Sequence, residues 1–367
     1  MKLKSVVMHL IKQERSCRKV SKVVKKVGGF VLAILIVFSI AACNNSPKSS
    51  ESSVNSEVKG PSGTVMLYSS LKENQLSAIK VGFTAKYPNI KMDYYAAGTG
   101  KCMTKIATEQ QSGKIAADMI WVGDPSNYVS FKEQGILEPY KSPEAENIDS
   151  KFKDPDNMFV GARLIVMGFT YNTSVPKNHV PETWEDLLKP EFKDQIVLSD
   201  PTESGTTLYA ISGLVNNSAY GWDYFKKLKE NGAELESGTE ATHNKVGAGA
   251  YKVCLGVDYV TNTLIKQGST IGFAYPKKDL IAVSSPIAII KGAKNMENAK
   301  LLYDYILSED GQKNLAENQS TPIRKGINVK GSLTIDEIAS RAMEVNSETL
   351  AKEKDDILNK FDSIFKK

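Results

Sequence analysis

Three short segments place small hydroxyl or glycine residues just ahead of a stretch with helical spacing: Ser69-Ser70, Gly98-Thr99-Gly100 and Ser204-Gly205-Thr206-Thr207. Glycine permits close backbone approach by a ligand, and serine and threonine add hydroxyl donors. A helix starting at each segment would direct unpaired N–H groups and a positive dipole end outward. Ordinary N-capping calls for the same residue types, so one such turn alone says little. Several facing one cleft would hold an anion without an enzyme-like cluster. Acceptors for the other end of such a ligand are scarcer. Asp258 closes the apolar run Cys254-Leu255-Gly256-Val257, and Asp124 follows Trp121-Val122-Gly123. His243 is a candidate donor to a hydroxyl, and Arg163 and Lys101 are candidates to neutralise a phosphate, although most such cations are surface charges. No Gly-x-Ser-x-Gly elbow, Walker loop or His-Glu-x-x-His motif occurs. Beyond the first 42 residues the histidines are His179 and His243, too few for a His-rich metal centre. The chain reads as a binder without catalysis, cofactor or metal.

The elements that must position these residues alternate. Residues 64–68 are a β-rich run, followed by an amphipathic stretch over 71–87 that Pro88 stops. Residues 90–95 alternate like a strand and lead through Gly98 into a helix reaching Gln111. A buried strand over 118–122 precedes a helix opened by Pro125. A second strand–helix block starts near Phe169, with strands at 195–198, 254–259 and 286–290 and helices at 208–215, 295–307 and 311–318. This order predicts an α/β fold with a mainly parallel sheet covered by helices. On the strand 90–95, Tyr94 and Tyr95 point to opposite faces, so they read as packing rather than as a paired metal ligand. Cys102 and Cys254 each fall inside a regular element and read as buried free thiols.

Charge is unevenly spread. The chain has 47 basic and 42 acidic residues, but nine of the basic and one of the acidic residues lie in residues 1–42. The remainder carries 38 against 41, a net charge of −3, so the folded part lacks the basic footprint of a nucleic-acid binder. Residues 1–42 combine a basic start, a short apolar run and small residues before Cys43, the pattern of a secretory signal. Ile40-Ala41-Ala42-Cys43 resembles a bacterial lipobox, which implies a diacylated Cys43. Residues 43–62 are rich in Ser, Asn, Lys and Glu and read as a flexible tether.

The succession of Tyr68-Ser69-Ser70, Ala117-Asp118-Met119-Ile120-Trp121, the turn over 200–207 and Ile287-Ala288-Ile289-Ile290-Lys291-Gly292-Ala293-Lys294-Asn295 resembles family 1 of the bacterial solute-binding proteins. The tail pieces Leu307-Ser308-Glu309-Asp310-Gly311-Gln312 and Thr321-Pro322-Ile323-Arg324 also fit that pattern. The likeness runs over residues 64–326 and is strongest with the branch holding ferric-ion, thiamine, phosphonate and hexose-phosphate binders. It implies a two-lobed type II periplasmic-binding-protein fold with a hinge and an interlobe cleft. Lobe 1 is expected over 63–166, completed by about 283–328, and lobe 2 over 167–282, completed by C-terminal helices at about 329–367. It further implies a partner permease and ATPase of an ABC importer, with the protein held outside the cell membrane by its lipid.

Ferric members of that branch typically bind through adjacent tyrosines on a lobe-two strand, often with a His in the first loop. Here the matching strand ends Asp258-Tyr259, and residues 68–73 contain no His. The expected ligand is therefore a small anionic solute, an organophosphate such as a hexose phosphate, or a phosphonate. The alternatives are ferric ion held through Tyr259, carboxylates and a synergistic anion, and a receptor that reports its ligand to a signalling partner.

Overall fold

The first strand, β1 (Gly63–Ser69), buries Val65 and Leu67 completely and pairs in parallel with both β2 (Ile90–Ala96) and β3 (Met119–Trp121). The computed structural model describes residues 60–366, so Cys43 and most of the tether lie outside the described residues. Between β1 and β2 runs α1 (Glu73–Lys86), whose Leu76, Ile79 and Phe83 recur at helical spacing on the buried face. It ends ahead of Pro88, which disfavours helical backbone in the residue before it. Helix α2 (Thr99–Gln111) turns Cys102 and Ile106 inward, and α3 (Ser126–Glu133) follows β3. After the short β4 (Leu137–Glu138) comes β5 (Val160–Asn172), thirteen residues that are nearly all buried.

The second half builds β6 (Ile196–Ser199), α4 (Gly205–Asn216), α5 (Gly221–Glu230), β7 (Glu234–Glu236) and α6 (Gly238–Gly247). It continues with β8 (Val253–Val257), α7 (Asp258–Lys266), β9 (Ile271–Ala274) and β10 (Ile281–Ile290). The chain then adds α8 (Met296–Leu307), α9 (Glu309–Glu317), β11 (Thr321–Pro322), α10 (Ile335–Arg341) and α11 (Ser347–Phe365). The main strand order is β2-β1-β3-β10-β5-β8-β6-β7.

The sheet is mixed, not mainly parallel. Within each half the pairs β1–β2, β1–β3, β6–β7 and β6–β8 are parallel, as strand–helix alternation demands. The two halves are joined by β5 and β10, which run antiparallel to each other and to their other neighbours β8 and β3. Both strands contribute to the cores of both halves. Leu164 and Val166 of β5 and Ile287 and Ile289 of β10 pack with Leu67, Phe83 and Trp121. Ile165, Met167, Ile281 and Val283 pack instead with Phe192, Leu208 and Phe225. This gives two lobes linked by a strand pair, with a register shift at Ser285/Pro286 between them. Cys102 and Cys254 are buried and unpaired, and burial pushes each thiol up to about 12.

Candidate functional site

Helix starts from both lobes open onto one cavity of about 370 Å³. From lobe 1 comes the start of α2, where Gly98 occupies the N-cap without a side-chain cap. From lobe 2 come the start of α4, capped by Ser204, and the start of α6 at Ser237-Gly238-Thr239, also without a side-chain cap. Each leaves first-turn N–H groups without intrahelical partners. Ser70, Lys72 and Glu73 follow β1 on one wall, and Tyr259 of α7 lies on another.

Arg163 of β5 also lines this cavity, yet it is completely buried. Its Nη1 donates to Gln75 Oε1 at 3.2 Å and Ser320 Oγ at 2.9 Å, both neutral groups. Its guanidinium lies 4.6 Å from the centre of the Tyr259 ring and 5.9 Å from that of Trp121. Its Nε has no hydrogen-bond partner among the described residues. Its direct contacts are neutral groups and ring faces, and burial keeps the one carboxyl that feels its charge, Asp258, protonated up to about 7, so an anion reaching the guanidinium is favoured. The combination of an under-satisfied guanidinium and several helix starts suits a small anion.

A family profile for bacterial extracellular solute-binding proteins matches residues 115–338. The chain belongs to that family. A Salmonella typhimurium periplasmic protein named for 2-aminoethylphosphonate binding is 25% identical over 308 residues, covering 81% of this chain and 85% of its own. The periplasmic binding protein AfuA of Actinobacillus pleuropneumoniae, solved with fructose-6-phosphate bound, superposes with a TM-score of 0.74 at 25% identity. That match covers 83% of this chain and 98% of AfuA. Iron-bound HitA of Pseudomonas aeruginosa shares the fold, with a TM-score of 0.71 at 18% identity over 83% of this chain and 99% of HitA. The family is extracytoplasmic, these relatives are binding proteins, and no helix among the described residues is long and apolar enough to cross a membrane.

In this solute-binding protein the cavity brings together Ser70, Gly98, Thr99, Ser204, Gly205, Thr206 and Tyr259 from the sequence-derived set, with Arg163 and Lys101. The remaining candidates are engaged elsewhere. Ser69 Oγ donates to Trp121 O at 2.7 Å and accepts from Leu71 N, which fixes the turn. Gly100 faces the backbone of Thr202 across the cleft. Thr207 Oγ1 donates to Ser204 Oγ at 3.0 Å.

Three expectations need correction. Asp124 is fully buried and accepts from Ser126 N and Oγ at 2.9 and 2.7 Å and from Lys354 Nζ at 3.2 Å, so it starts α3 instead of facing ligand. His243 is not in a loop. It sits inside α6, with Nδ1 against Thr239 O at 2.6 Å and Nε2 accepting from Val257 N at 3.0 Å. Burial lowers it to about 4, so the ring is neutral and ties α6 to the end of β8. Asp258 does not end a strand. It is the first residue of α7, and its carboxyl accepts from Tyr259 N at 2.7 Å, Val166 N at 3.3 Å and Thr321 Oγ1 at 3.4 Å. Burial raises it to about 7, against the lowering effect of these bonds and of the Arg163 charge. It braces the lobe junction from behind the cavity wall.

The tyrosine pair on β2 separates as its register requires. Tyr94 Oη donates to Glu73 Oε1 at 2.6 Å, whereas Tyr95 packs on Tyr68 with ring centres 5.4 Å apart. The start of α6 was missed. Its signal was present: Ser237-Gly238-Thr239 repeats the Ser204-Gly205-Thr206 pattern, and each Gly is the first residue of a helix.

Proposed function

We propose that this protein captures a small organophosphate or phosphonate in the interlobe cleft and delivers it to the permease and ATPase of an ABC importer. Arg163 carries the reading. A fixed guanidinium with spare donors recognises phosphate oxygens, and the starts of α2, α4 and α6 supply further N–H donors around them. The cavity volume lies at the small end of the range of roughly 300–1,000 Å³ usual for small-molecule sites. The relatives named for 2-aminoethylphosphonate and solved with fructose-6-phosphate support the same ligand chemistry. Ferric ion is disfavoured at Tyr259, because the Arg163 cation lies over its ring and would repel a trivalent metal. Cys43, lipidated after cleavage of residues 1–42, anchors the protein on the outer side of the membrane.

A thermal-shift screen with hexose phosphates, 2-aminoethylphosphonate, thiamine phosphates and ferric citrate tests the ligand class. A phosphate ester or phosphonate should raise the melting temperature; stabilisation by ferric ion alone rejects the reading. For the anchor, Cys43→Ala should move the protein out of the membrane fraction. Retention with fatty-acid labelling intact would contradict it.

A further inference from the structure

The lobes meet along a seam of glycines. A Cβ on Gly100 would run into the carbonyl oxygen of Thr202, and one on Gly98 would lie 2.8 Å from that of Glu203. From the other lobe, a Cβ on Gly205 would come within 2.7 Å of Asp124 Cβ and 2.9 Å of Thr99 Cγ2. Gly98 and Gly100 belong to lobe 1 at the start of α2, and Thr202, Glu203 and Gly205 belong to lobe 2 at the start of α4. Two ion pairs flank the seam, Lys101–Glu203 at 3.6 Å and Lys72–Glu240 at 3.0 Å. Lys101 and Glu240 are largely exposed, so these pairs hold the lobes weakly. Steric fit at the glycines decides how far the cleft shuts.

We infer that Gly100 is a positioning residue for ligand retention: its missing side chain lets Thr202 close against α2 and bring the helix starts of both lobes onto one ligand. This rests on the cleft being the ligand site. Gly100 is the second residue of a helix and its φ is not positive, so alanine suits its backbone and favours helix formation. A merely structural glycine would therefore show little penalty or a gain. Here the cost appears only in the shut form.

The test compares wild type, Gly100→Ala and Thr108→Ala, an exposed position on the same helix. For fructose 6-phosphate and 2-aminoethylphosphonate, Gly100→Ala should bind about ten- to a hundredfold more weakly, mostly through faster dissociation. Its ligand-free melting temperature should equal or exceed that of wild type, and Thr108→Ala should behave as wild type. Affinity within about twofold of wild type, or a lowered ligand-free melting temperature, overturns the inference. If wild type binds neither probe, the ligand reading fails separately, and small-angle scattering still decides the seam. A radius of gyration for Gly100→Ala above that of the shut structure supports it, and one equal to that of the shut structure overturns it.

Discussion

Arg163, His243 and Asp258 are all fully buried and ionisable, yet they serve different ends. Arg163 keeps a charge at the cavity wall. His243 and Asp258 avoid charge and act as struts, and their titrations pull stability in opposite directions. His243 falls from its usual 6.5 to about 4, so the unfolded chain binds the extra proton between those values. Its contribution is complete above 6.5 and is lost as the pH falls towards 4. Asp258 rises from 3.8 to about 7, so the folded protein holds the extra proton in that window. Its contribution is complete below 3.8 and is lost as the pH rises through 7. Relative to wild type, His243→Gln should therefore lose less stability on acidification from pH 6.5 to 4. Asp258→Asn should lose less from pH 4 to 7. Each difference should approach one proton, about 1.4 kcal/mol per pH unit. Denaturant unfolding across this range checks both, and slopes parallel to wild type would refute the assignments. Asp258→Asn should leave ligand affinity at pH 6 nearly unchanged, since its carboxyl bonds are internal.

At the scale of elements, the order was legible for β1, β2, β3, β6, β8 and β10, which are β-rich runs, and for helices with spaced apolar residues, but not for the short β4, β7, β9 and β11, of which Glu234-Leu235-Glu236 carries no strand signal. The ends were less legible. Val257-Asp258-Tyr259 reads as more strand, because valine and tyrosine favour strands, but an acidic residue at a helix start is stabilised by the dipole. The directions of β5 and β10 were not legible at all, since a run buried on both faces carries no sign of its direction. Helix α11 lies beyond the matched family region and still fills a core. Phe361 is completely buried, with ring centres 4.4 Å from Phe365 and 5.8 Å from Phe225. Phe361→Ala should cost about 3–5 kcal/mol of unfolding free energy. A loss under about 1 kcal/mol in denaturant unfolding would make α11 an appendage and not part of the lobe-2 core.

For the whole molecule, the two-lobed architecture and the convergence of helix starts followed from pattern and resemblance together. Burial could not be foreseen for Arg163, since a single arginine in an apolar run looks like a surface charge until its neighbours are placed. The carboxylate favoured from sequence faces inward, whereas the arginine given little weight faces the cleft. Ligand recognition thus rests on one fixed cation and on backbone N–H groups supplied by both lobes. The direct test is a calorimetric titration of wild type and Arg163→Met with fructose 6-phosphate and with 2-aminoethylphosphonate at pH 7. Methionine fills similar space without charge, so the variant should remain folded. Wild type should bind at least one of the two, and Arg163→Met should bind it about a hundredfold or more weakly at an unchanged melting temperature. Equal affinity in the two proteins would contradict the central role of Arg163, and so would binding of ferric ion with no response to either phosphorus ligand.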